Sequence, residues 1–75
     1  MRHACLLLLL CACSSLSTEE REQLAGHIRN AKYYYEGGHL EQAMGQIERG
    51  LALESDNYTL RTMRGTILLR QSSSA

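Results

Sequence analysis

Residues 31–57, AKYYYEGGHLEQAMGQIERGLALESDN, constrain this chain most, because two helical patterns meet there at a Gly-Gly break. After the break, Leu40, Ala43, Met44, Ile47 and Leu51 recur at helical spacing, with Glu41, Gln42, Gln46, Glu48 and Arg49 on the other face. That pattern predicts an amphipathic helix over residues 40–53. Before the break, Leu24, Ile28, Ala31 and Tyr35 follow one another at steps of four, three and four. They form one apolar stripe and predict a helix over residues 18–36. Ser17 with Glu20 fits a capping box, and Glu19, Glu20 and Glu22 suit the positive end of the helix. Gly37 and Gly38 stop it, one of them in the left-handed conformation that only Gly adopts cheaply.

Gly45 and Gly50 each cost about 1 kcal/mol relative to Ala in a helix, so both are expected at close helix contacts. Residues 54–57 read as a turn, with Asp56 or Asn57 available as the cap of a third helix. That helix is expected over residues 58–71, placing Leu60, Met63, Ile67 and Leu68 on one side. Residues 72–75 read as a polar, frayed tail. The chain holds 75 residues, enough for one small domain. Leu, Ala, Glu, Gln and Arg dominate, and alternation with period two is scarce, so the expected fold class is all-α: an antiparallel helix–turn–helix plus a third helix.

The amino terminus reads as an address. Met1, Arg2 and His3 make a short charged start, and residues 4–10 form an apolar run with five consecutive leucines. Ala12, Ser14 and Ser15 are small. Basic, apolar, then small is the plan of a secretory signal peptide. A membrane span needs about 20 apolar residues, roughly twice this run. The three cysteines cluster at positions 5, 11 and 13, a poor arrangement for a metal site or a disulfide framework. Neither is expected.

Leu10-Cys11-Ala12-Cys13 resembles the lipobox of bacterial lipoproteins. The resemblance implies a signal peptide over residues 1–12 and a lipid on Cys13, with residues 13–16 as attachment point and tether. Several acyl chains would make the anchor effectively permanent. It further implies a location on the outside of a bacterial membrane, and Ser14 after the lipidated Cys resembles outer-membrane sorting. Helix 18–36 would begin within about 15 Å of the lipid surface.

Residues 27–57 resemble a tetratricopeptide repeat, a helical hairpin of about 34 residues. Ala31, Tyr34, Gly38, Leu40, Ala43, Ile47 and Leu51 fall at that family's spacing, while His27, Asn30, Gly50 and Ser55 depart from it. Gly65 and Leu68 fall at the small and aromatic slots of a second repeat. The resemblance implies packing roles for these positions. It leaves two readings of the third helix: a cap over one repeat, or the opening of a longer array. Partners of this family lie along the surface made by the first helix of each repeat. By position that surface holds Ile28, Arg29, Lys32, Tyr35, Glu36, Thr62, Met63, Thr66 and Arg70. Lys32 and the arginines beside Tyr35 would suit a carboxylate-bearing peptide. Tyr34 is the packing residue of the Tyr33-Tyr34-Tyr35 run, with Tyr33 outward, since successive helix positions differ by about 100°.

Eight Lys plus Arg balance eight Asp plus Glu, which points away from nucleic acid. No nucleophile motif and no phosphate-binding Gly loop occurs, His39 reads as a solvated turn residue, and neither catalysis nor a cofactor is expected. The expected function is a membrane-anchored interaction scaffold that binds a protein or peptide. The alternatives are a small structural lipoprotein that self-associates, and the front part of a longer repeat array.

Overall fold

The computed structural model describes residues 16–73, which form three helices: α1 (Thr18–Glu36), α2 (Leu40–Leu53) and α3 (Tyr58–Ser73). Among the described residues there is no strand. Residues 1–15, which include the expected signal peptide and Cys13, and residues 74–75 lie outside them.

Local chemistry explains each boundary. The Ser17 hydroxyl accepts from the Glu20 N–H at 3.1 Å, and the Ser17 N–H donates to Glu20 Oε1 at 3.0 Å. This reciprocal capping box satisfies two donors that the first turn of α1 leaves without helical partners. At the other end Gly38 takes φ 82°. Its N–H donates to Tyr35 O at 3.1 Å, and the His39 N–H donates to Tyr34 O at 2.8 Å. That pair of bonds is a Schellman closure, and the Tyr34 and His39 rings meet edge-on across it at 6.4 Å. The α2–α3 turn is closed by Asn57. Its Oδ1 accepts from the Leu60 N–H at 2.9 Å while its amide donates to Glu54 at 2.8 Å.

The two ends of the third helical pattern differ in outcome. Its start at Tyr58 agrees with the expectation, but it continues to Ser73. Ser73 Oγ donates to Leu69 O at 2.8 Å and Ser72 Oγ to the same carbonyl at 3.2 Å. Residues expected in a frayed tail thus return hydrogen bonds to their own helix, so Ser72 and Ser73 belong to α3.

Leu24, Ala31, Ala43, Ile47, Leu60 and Ile67 make the core, and the last five are fully buried. Ala31 and Ala43 are the small residues that let α1 and α2 approach. Tyr34, Leu40 and Leu51 pack half-buried around them. α3 rests mainly on α2. Gly50 marks where the three helices converge: a Cβ there would lie 2.5 Å from Leu60 Cδ1, 3.5 Å from Leu24 Cδ1 and 3.6 Å from His27 Cβ.

Three packing expectations need correction. Gly45 has open space where a Cβ would stand, because the buried stripe of α2 runs through Ala43, Ile47 and Gly50. Leu68 is 48% exposed, since one helical step turns it about 100° from buried Ile67. Gly65 is likewise exposed with nothing near its Cβ direction. Both lie on a side of α3 that neither α1 nor α2 covers.

Candidate functional site

α1 and α3 leave a groove of about 380 Å³ between them. Its lining from α1 is Lys32, Tyr35 and Glu36, and from α3 Tyr58, Thr59, Thr62, Met63 and Thr66. The positions follow from helical periodicity. Lys32, Tyr35 and Glu36 sit on one edge of the last turn of α1, while Thr59, Thr62, Met63 and Thr66 recur at steps of three and four along α3. Met63 and Tyr35 also pack against the core, so they give the groove an apolar floor. Lys32 and Glu36 supply opposite charges at its α1 side.

Arg70 bridges the groove's far end. Its guanidinium carbon lies 4.7 Å from the Tyr35 ring centroid, a cation–π distance that ties α3 to α1. Thr66 Oγ1 donates to Thr62 O at 3.0 Å, so that hydroxyl proton is engaged within α3. The Thr66 oxygen lone pairs stay available as acceptors.

The structure thus brings together Lys32, Tyr35, Glu36, Thr62, Met63 and Thr66 of the expected set, with Arg70 against Tyr35, while Ile28 packs against the core and does not line the groove. Arg29 does not join them. It is exposed and lies back along α1, with Nη2 3.9 Å from where a Gly26 Cβ would be. The groove reaches one turn further toward the start of α3 than expected, to Tyr58 and Thr59. Thr59 continues the Thr62–Thr66 stripe backward by three residues, and that spacing was the available signal.

Chemically, the groove is an open surface of mixed character. A mixed lining of aromatic, thioether, hydroxyl and charged groups can hold an extended segment by apolar contact and by hydrogen bonds from its edges. Among the described residues no group of His, Cys, Asp or Glu is placed to hold a metal ion. No described helix is long and apolar enough to cross a membrane.

Fold and groove define a class: an all-α, repeat-like helical protein with an open inter-helix surface. No family model, curated protein or solved structure matches the chain.

Proposed function

We propose that this chain is a tetratricopeptide-type lipoprotein, held by lipid on Cys13 at the outside of a bacterial membrane, where it serves as a protein-interaction scaffold. The observation that carries the proposal is the groove between α1 and α3, built from the surface on which repeats of this kind receive partners. The ligand that fits is an extended peptide. An apolar side chain would rest on Met63 and Tyr35, and a carboxylate would face Lys32, where a charge-assisted bond is about twice as strong as a neutral one. Thr59 and Thr62 would meet the peptide backbone.

Two measurements test this reading. Intact mass of the protein extracted from membranes should begin at a lipid-modified Cys13; an unmodified Cys13 would remove the anchor. A photo-crosslinking residue at Thr62 should yield adducts that a control at exposed Gln42 does not, and Lys32→Glu should abolish them. Equal labelling at both positions would remove the groove.

A further inference from the structure

The side of α3 that faces away from the core is bare, and it shares only Tyr58 with the lining of the groove. Tyr58, Arg61, Gly65 and Leu68 recur there at steps of three, four and three, with Leu69 beside them. Tyr58 is 81% exposed and Leu69 71%. Helix α1 carries the same arrangement 34 positions earlier, at Leu24, His27, Ala31 and Tyr34. That face of α1 is where α2 sits. Leu24 and Ala31 are buried, Tyr34 is half-buried, and His27 Nδ1 meets Gln46 Oε1 of α2 at 2.8 Å. The side of α3 left bare is therefore the counterpart of the side of α1 that accepts a helix.

Charge says what kind of helix belongs there. Arg61 lies on this face with Arg64 one step to its side, and α3 contains no acid. Asp56, just before it, borders a hollow of about 340 Å³ with Arg61, Tyr58 and Thr62 at the upper end of this face. Docking α3 of a second copy here would set arginines against arginines. Arg61 stands where α1 has His27, so a carboxylate is the natural replacement for the neutral Gln46 that His27 meets.

We infer that the Tyr58–Arg61–Gly65–Leu68 face docks an acidic amphipathic helix from a partner protein, seated as α2 sits on α1. A small residue of that helix rests on Gly65, and a carboxylate three positions later pairs with Arg61. The inference takes from the scaffold reading only that the occupant is another protein. Of the groove's lining it uses only Tyr58.

The full-length protein in detergent micelles is titrated into a fluorescently labelled helical peptide of residues 39–54 carrying Gln46→Glu, which stands in for the partner helix. Saturable binding is expected, about tenfold tighter than for the same peptide with Gln46→Lys. Gly65→Leu should abolish it without loss of helicity, because a Cβ at Gly65 has nothing within 4 Å and the side chain points away from the core. Arg61→Glu should reverse the preference between the two peptides. Lys32→Glu should leave peptide binding intact while removing groove crosslinks, so the two surfaces can fail separately. Absence of binding overturns the inference. So does binding that survives Gly65→Leu, because the peptide would then be displacing α2 from α1. A dimer in sedimentation that Gly65→Leu dissolves would give the face to a second copy and overturn it as well.

Discussion

The two glycines inside α2 separate the roles a glycine can have. Gly50 is buried under Leu60, Leu24 and His27, while Gly45 faces open space. At Gly50 a methyl group would meet the Cδ1 end of fully buried Leu60, so that side chain must shift within a packed core. Overpacking of that kind costs about 1–3 kcal/mol, against a gain of up to about 1 kcal/mol in helix propensity. Gly50→Ala should therefore lower the urea midpoint and Gly45→Ala should raise it; shifts of the same sign would refute this division. Sequence alone treats the two alike, because helix propensity depends on residue type and not on which neighbour stands opposite. His27 teaches the same lesson. Its departure from the apolar pattern becomes intelligible only through Gln46, nineteen positions away, whose side chain satisfies the ring. Replacing His27 by Ala should cost about 1 kcal/mol, read as a drop in melting temperature that Gln46→Ala does not deepen further.

Among the elements, the helices and their caps are the most legible part of the chain, because capping and periodicity are local. Ser17 with Glu20 marks the start of α1, Gly37-Gly38 its end, and Asn57 the start of α3. Ser17→Ala and Asn57→Ala should each destabilise the fold by about 1 kcal/mol. The Asn57 change should cost more, since it also strips Glu54 of its donor. Chemical denaturation of both variants gives the comparison. What local signals do not give is the rotation of α3. Ile67 and Leu68 are neighbours of similar size, and only the angle at which α3 crosses α2 decides which is buried. Arg29 falls outside the groove for a related reason: periodicity gives its position on α1, but not the direction its long side chain takes. The 34-residue relation between α1 and α3 also has an opposite side. Leu60 and Ile67, fully buried in α3, correspond to Gly26 and to Tyr33, which is 73% exposed. The outer face of α1 is thus built for water, whereas the free face of α3 is built like a helix-accepting one.

For the molecule as a whole, the convergence at Gly50 makes α3 part of one cooperative unit. A core of six buried hydrophobic residues is small. Domains of this size hold only about 3–5 kcal/mol of net stability, so no helix can stand alone. Leu60 touches the Gly50 region where Leu24 of α1 and α2 meet, and Ile67 is buried further along α3. Removing the Leu60 side chain leaves a cavity where all three helices meet, at a cost of about 2–5 kcal/mol. Leu60→Ala should consequently unfold most of the population at room temperature, and not merely release α3. Far-ultraviolet circular dichroism should show a helical loss far larger than the share of α3. Amide exchange at Ala31 in α1 and at Ile47 in α2 should accelerate together. Leu69→Ala, on the free face and 71% exposed, should leave both readings at wild-type values. If Leu60→Ala instead melted α3 while α1 and α2 kept their protection, the hairpin would be self-sufficient and α3 an appendage to it. The groove would then require α3 to be held in place by its occupant.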